Sequence, residues 1–302
     1  MKNILVVGSI NMDLTVSTPK IPVMGETIHG HSFVTSPGGK GANQAIAAAK
    51  SGGTVKFFGA VGNDVYANVL VNNLEYNGVE FKGESIEDIS TGVAVITIFK
   101  GNNSIILDAG ANGRITVEML ERNKELFTWA DYLILQGEIP EEINIESAKY
   151  AKETGTVVVF NPAPYQDFSD ELYKYIDWII PNESETELMT GVCVDDEDSA
   201  RKAVNLIRKK GVRNVIITWG ENGSVYSCGE DIKIMPARKT EAIDTTAAGD
   251  CFIGNFVRML AEDSDIDAAV QYATIASSIA VSRRGASDSL PTKNEIDKLM
   301  YY

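Results

Sequence analysis

Thr245, Thr246, Ala247, Ala248 and Gly249 stand in a row before Asp250, and the apolar run Cys251, Phe252, Ile253 follows at once. Small side chains let a ligand approach the backbone closely. If a helix starts here, its first N–H groups lack partners, point outward and favour anions, phosphates above all. A carboxylate in that first turn is favoured by the helix dipole. An acid beside an anion-binding backbone is what phosphoryl transfer needs. The acid accepts a hydroxyl proton while the N–H groups stabilise charge on the moving group. An ordinary helix start with a well-placed Asp is the other reading these residues leave open.

Three further clusters carry polar groups at suggestive places. In SPGGKGANQA, residues 36–45, Lys40 is followed by Gly41, not by the Ser or Thr of a Walker A loop. What remains is a loop feeding a helix, with Lys40 and Asn43 beside exposed backbone, able to hold a polyol or a phosphate. GSINMD, residues 8–13, comes directly after the first apolar run. Ligands of α/β sheets bind beyond the C-terminal ends of strands, where Asn11 and Asp13 would lie. An ionised Asp can accept hydrogen bonds from two neighbouring hydroxyls. In PNESETEL, residues 181–188, Asn182 and Glu185 have the spacing of a capping box. The functional reading of that pair sets it near a metal–nucleotide complex. His29 and His31 sit in a Gly-containing turn and are expected to be solvated. No Ser-His-Asp set and no His/Cys metal spacing stands out.

The elements that would position these groups follow from periodicity. ILVVG (4–8), TVKFFGA (54–60), YLILQG (132–137), TVVVF (156–160), WIIP (178–181) and NVIIT (214–218) read as buried strands. Helical spacing recurs at Ala42, Ala45, Ile46 and Ala49, more loosely at Val117, Leu120 and Leu126, and over 142–153, 197–210, 248–262 and 266–283. GENG (220–223) marks a hairpin. The alternation predicts an α/β fold: a doubly wound, mostly parallel sheet with helices on both faces. Residues 13–35 and 92–106 break the rhythm and read as antiparallel strands of a small β-sheet lid. The main domain is then 1–12, 36–91 and 107–302.

Composition narrows the partners. A net charge of −15 makes nucleic acid a poor partner. Three scattered cysteines, Cys193, Cys228 and Cys251, form no metal or redox pair, fit a reducing cytoplasm and read as small buried hydrophobes. The apolar start of the chain is too short for a signal-peptide core, and no run approaches the roughly 18 residues of a membrane span.

Taken in order, GSINMD, PGGKGANQA, NPAP (161–164), PNESE and DTTAAGD resemble the ribokinase family of sugar kinases, over essentially the whole chain. The resemblance implies ATP-dependent phosphorylation of D-ribose at O5, with Asp250 as the base and the backbone of Ala247, Ala248 and Gly249 as the anion hole. It implies that Asn11, Met12, Asp13, Gly39, Lys40, Gly41, Ala42, Asn43 and Glu138 hold the sugar. Asn182, Thr218, Trp219, Gly220, Glu221, Asn222, Gly223, Gly249 and Thr274 would meet the nucleotide. Glu185 would organise Mg2+ through water. A monovalent cation, K+, would lie among Asp244, Thr246, Ala280, Arg283, Gly285 and Ser289, mostly on carbonyls. It further implies a homodimer formed through the lid, in the cytoplasm.

Three positions depart from the family pattern. Cys251 stands where Thr or Ala is common, with little effect expected. Thr274 replaces a larger polar residue. Gly137 is smaller than usual and is expected to loosen the wall beside Glu138. Rival readings are a same-fold kinase for deoxyribose, fructose or a nucleoside, and a sugar- or nucleotide-binding protein without turnover. Asp13, Lys40 and Asn43 favour a small polar sugar over an apolar base. A dehydrogenase would need G-x-G-x-x-G after the first strand, which GSINMD lacks.

Overall fold

The computed structural model describes residues 2–100 and 102–300. Met1, Gly101 of the expected lid, Tyr301, Tyr302 and the side chain of Cys228 lie outside the described residues. The chain begins with β1 (Asn3–Val7), β2 (Asn11–Ser17), β3 (His31–Gly38), α1 (Lys40–Lys50), β4 (Thr54–Phe58), β5 (Ala60–Gly62) and α2 (Val65–Tyr76). Then come β6 (Val79–Phe81), β7 (Glu84–Ile86), β8 (Gly92–Phe99), β9 (Asn102–Asp108), α3 (Val117–Arg122), α4 (Glu125–Trp129), β10 (Tyr132–Gln136) and α5 (Glu141–Thr154). The second half has β11 (Val157–Asn161), α6 (Asp170–Tyr173), β12 (Trp178–Ile179), α7 (Glu183–Thr190), α8 (Glu197–Arg208) and β13 (Asn214–Thr218). It closes with β14 (Ser224–Cys228), β15 (Asp231–Met235), α9 (Ala248–Ala261), α10 (Ile266–Ala280) and α11 (Lys293–Met300).

Nine strands form the main sheet in the order β15-β14-β13-β12-β11-β10-β1-β4-β6. From β6 to β13 every neighbouring pair is parallel, and β14 and β15 add an antiparallel edge. The central strands are apolar throughout because both faces are covered. Their pleat divides side chains between two cores. Ile4 and Val6 join the core beneath α1, α9 and α10, while Leu5 and Val7 join the core beneath α5 and α8. The chain leaves β1 towards β4 on one side and returns to β10 on the other. The switch point therefore falls between β1 and β10, where open α/β sheets form their ligand crevice.

A separate four-stranded sheet has the order β3-β2-β8-β9. Its pairing corrects one expectation. The strands were expected to be antiparallel, but β2 and β8 run parallel at its centre, and only the outer pairs are antiparallel hairpins. The reason is connectivity: β2 and β8 belong to different hairpins, each with its own turn, and the two hairpins meet side by side.

Most helices start on a side-chain cap. Asp64, Thr116, Ser169, Asn182, Asp196 and Asp265 each accept a backbone N–H in the first turn. Helices α1 and α9 start without one, at Gly39 and Ala247. At α1 the first N–H groups are taken by Glu138 and Ser9 from other segments. At α9 those of Gly249 and Asp250 have no acceptor among the described residues, which leaves the start of α9 able to receive an anion. The two helices also touch. A Cβ on Gly254 would collide with the carbonyl of Gln44 and with Ala47, so this glycine sets how close α9 comes to α1.

Candidate active site

Four segments meet outside the C-terminal ends of β1 and β10. The first is the β1–β2 connection. Asn11 and Asp13 share one face of β2, and Met12 faces the other way into the core. Met12 and Ala42 were both expected to contact sugar. Their side chains are core groups, so only their backbone is available to a ligand. Asn112, which sequence reasoning missed, holds the connection in place. It accepts from the N–H of Ile10 at 3.0 Å and donates to the Ile10 carbonyl at 3.1 Å and to Asn11 Oδ1 at 2.7 Å.

The second segment is the start of α1. Gly39 has φ 94° and lies against the backbone of Ile10 and Asn11, where a Cβ would not fit. The Lys40 N–H donates to Glu138 Oε2 at 3.1 Å, and Ser9 Oγ donates to the same oxygen. Ser9 was also missed; it further accepts the N–H of Gly41 at 3.4 Å.

The third is the turn after β10, which carries Glu138. The expected loosening at Gly137 is not found. A Cβ there would meet the backbone of Ala163 and Pro164, and the Gly137 N–H donates to the Ala163 carbonyl at 2.9 Å. The space left by the missing side chain is filled by another chain segment.

The fourth is the start of α9. Asp250 is buried in its first turn. Asn43 Nδ2 donates to Asp250 Oδ2 at 3.2 Å, and Gln44 Nε2 donates to Asp250 Oδ1 at 2.9 Å. Ala247 is left-handed, with φ 59°, an uncommon state for a residue with a Cβ and one that recurs at functional turns. The N–H of Ala248 is taken by the Thr245 carbonyl at 3.2 Å, and Ser277 Oγ donates to the Ala248 carbonyl at 3.0 Å. Among the described residues the N–H groups of Ala247, Gly249 and Asp250 have no acceptor, so these are the donors open to an anion.

Charge in this pocket is concentrated. Burial, with Glu138 and Asp250 nearby, pushes the Asp13 carboxyl up to about 7, against the opposing pull of Lys40. Burial also raises Glu138 and Glu185. Burial alone would lower the Lys40 ammonium, but Asp250, Glu138, Glu185 and Asp13 outweigh it and leave it raised. The pocket is thus one cation ringed by four acids, with open N–H groups at one wall.

The nucleotide-side residues form a second group. Asn182 pairs with Thr218 in an isolated parallel bridge, and Thr218 N donates to the Pro181 carbonyl at 3.0 Å. The capping box is complete: Glu185 N donates to Asn182 Oδ1 at 2.8 Å and Asn182 N donates to Glu185 Oε2 at 2.8 Å. Asn182 Nδ2 also reaches Glu185 Oε1 at 3.2 Å. With both oxygens already accepting N–H groups, contact to a metal through water fits this carboxylate better than direct ligation. Trp219 donates from Nε1 to the Val194 carbonyl at 3.0 Å, which fixes its half-buried ring against the core. Gly220, Glu221 and Asn222 are exposed in a tight turn, closed by Trp219 N bonding to Gly223 O at 2.7 Å. Thr274 donates back to the Val270 carbonyl on its own helix at 2.8 Å.

A third group surrounds Asp244. Its Oδ1 accepts from Thr246 N at 2.9 Å and its Oδ2 from Gly285 N at 3.0 Å. Burial would raise this carboxyl, but those bonds prevail and hold it below the usual carboxylate range. Asp244 thereby ties the turn before α9 to the segment after α10. Ala280 accepts from Arg283 N at 3.0 Å, Ser289 Oγ donates to the Ala286 carbonyl at 2.8 Å, and the Arg283 side chain pairs with Glu295. Among the described residues no three His, Cys, Asp or Glu side chains cluster to hold a metal. His29 and His31 are exposed as expected. Cys251 is buried, while Cys193 is exposed beside Asp195 and corrects the reading of the cysteines as buried hydrophobes. It lies in the loop after α7, where no core faces it.

Residues 1–293 match the family described as pfkB family carbohydrate kinase. A ribokinase of Haemophilus influenzae is 39% identical over 296 residues, covering 97% of each chain. A deoxyribokinase of Salmonella typhi is 34% identical over 301 residues, covering 99% of this chain and 98% of the relative. The structure of an Arabidopsis thaliana ribokinase complexed with ribose and ATP superposes with a TM-score of 0.94 at 32% identity, covering 100% of this chain and 99% of that one.

Proposed function

The chain belongs to the pfkB family of carbohydrate kinases, and from that premise we propose that it transfers the γ-phosphoryl group of ATP to O5 of D-ribose. The observation that carries the reading is the buried Asp250 at an uncapped helix start, facing Lys40, Asn43, Asp13 and Glu138. Asp250 takes the O5 proton as O5 attacks phosphorus. The new O5–P bond forms as the bond from phosphorus to the β-phosphate bridging oxygen breaks, and ADP leaves. The open N–H groups at 247, 249 and 250 stabilise the charge of the moving group. Lys40 supports the same charge. Asp13, Asn11, Asn43 and Glu138 accept from and donate to the sugar hydroxyls, which fixes O5 in line.

The nucleotide lies along Asn182, Thr218 and the 219–223 turn, with Thr274 on its far side. Glu185 would reach a magnesium ion through water, and that ion, bound with ATP, would offset phosphate charge. Asp244, Thr246, Ala280, Arg283, Gly285 and Ser289, mostly through backbone carbonyls, would hold a potassium ion, which would support the shape of the turn before α9. The four-stranded sheet acts as the lid. Phe33, Val34, Ile105, Ile106 and Leu107 are exposed on it, and such an apolar face suits a second copy. Among the described residues no helix is long and apolar enough to cross a membrane. The three scattered cysteines suit a reducing compartment, and on that ground we place the enzyme in the cytoplasm.

The likeness to a deoxyribokinase favours one rival acceptor, 2-deoxyribose. ADP release is to be measured with ribose, deoxyribose, fructose and adenosine, each in potassium and in sodium. The account expects ribose to be fastest, and faster in potassium. Fastest turnover of another acceptor would overturn the sugar, and equal rates in both salts would overturn the cation site.

A further inference from the structure

Gln44 lies one residue past the sugar loop and is fully buried. Its Nε2 donates to Asp250 Oδ1 at 2.9 Å and to Asn161 Oδ1 at 3.2 Å. Its Oε1 accepts from Gln136 Nε2 at 2.9 Å. Asn161 in turn donates to the Ile180 carbonyl at 2.8 Å. Gln136, at the end of β10, is given its room by a glycine: a Cβ on Gly8 would collide with its carboxamide. An ionised carboxylate can only accept, so Gln44 must turn its NH2 to Asp250 and its carbonyl to Gln136. The direction of the whole amide chain follows from the charge of Asp250.

We propose that Gln44 is a positioning residue for phosphoryl transfer: oriented by Gln136, it anchors Oδ1 of Asp250 from the core side, so that Oδ2, whose donor Asn43 at 3.2 Å belongs to the sugar loop, is the oxygen that takes the proton. The inference rests on Asp250 being the base. Gln44 cannot reach the sugar because it is enclosed between α1, α9 and β10. Its contribution is to hold the carboxylate plane and to favour the ionised form. Other charged or titratable groups also face Asp250: Lys40 from α1, Asp13 from β2, Glu138 from the β10–α5 turn and Glu185 from α7, with Cys251 beside it on α9. Gln44→Met leaves all of these in place, so a change in the pH profile reports the lost donor.

The test compares wild type, Gln44→Met, Gln136→Met and the double variant in steady-state sugar phosphorylation from pH 5 to 9. A bond to a charged group is worth about tenfold or more, so Gln44→Met is expected to lose about tenfold in kcat with sugar KM within about twofold. The acid limb of its profile moves up by about one pH unit. Gln136→Met is a weaker copy, about threefold, and the double variant is no worse than Gln44→Met because Gln136 acts through Gln44. An unmoved acid limb, a loss shared equally by KM, or additive losses would overturn the proposal. Should Gln44→Met not fold, Gln136→Met decides by the same profile. If wild type phosphorylates no sugar, the functional reading fails by itself. The 13C carboxyl resonance of Asp250, titrated in both proteins, reads the Gln44 bond apart from turnover: a later midpoint in Gln44→Met keeps the anchoring of Oδ1 by Gln44, and a shared one overturns it.

Discussion

Asn43 Nδ2 donates to Asp250 Oδ2 across 3.2 Å, although 207 residues separate them. The contact joins the uncapped start of α1 to the uncapped start of α9. It places the proposed base within the loop that would hold the sugar.

Asp13 carries a cost. Burial and its acidic neighbours push its carboxyl up to about 7 from 3.8. A raised carboxyl means the folded chain binds this proton more tightly than the unfolded one. Its stability contribution is therefore present below pH 3.8 and lost as pH rises through 7. Asp13→Asn should equal wild type near pH 3.5 and exceed it by about 4 kcal/mol above pH 7.5. The same variant should bind sugar poorly. Denaturant midpoints against pH, together with sugar KM, check both halves.

The left-handed Ala247 tests whether backbone shape matters at the anion turn. Glycine adopts φ 59° freely, whereas a β-branched residue does not. Ala247→Gly should keep stability within about 0.5 kcal/mol, and Ala247→Val should lose about 1–2 kcal/mol. Turnover should fall further in the valine variant than thermal stability alone explains. Equal stabilities for the two variants would show that the turn is not strained.

The capping box separates structure from nucleotide chemistry. Asn182→Ala removes the acceptor for Glu185 N and should cost about 1 kcal/mol. Glu185→Gln retains an acceptor for Asn182 N and removes the charge. It should unfold close to wild type while the KM for magnesium-bound ATP rises several-fold. Thermal scans beside ATP titrations distinguish the two.

Much of this was legible in the sequence because the signals were local. Continuous apolar runs marked β1 and β10, and small residues before Asp250 marked a helix start that a ligand can approach. The misses share a cause. Gln44 and Gln136 are polar residues in apolar settings, one among the alanines of α1 and one ending YLILQ. That signal was present, but their partner Asp250 is far along the chain. Gly137 was misread because sequence shows a missing side chain and not the Ala163–Pro164 backbone that fills its place. The parallel β2–β8 pair was missed for a related reason, since strand direction between separate hairpins depends on long-range connection.

The central claim is that Asp250 is the base in phosphoryl transfer to D-ribose. The most direct measurement is kcat for Asp250→Asn on ribose with ATP, magnesium and potassium, with ribose affinity measured separately by calorimetry. The account predicts a loss of about 10² to 10⁴ in kcat, the usual size of general-base assistance, with ribose still bound. Turnover near the wild-type rate by a folded Asp250→Asn protein would contradict it.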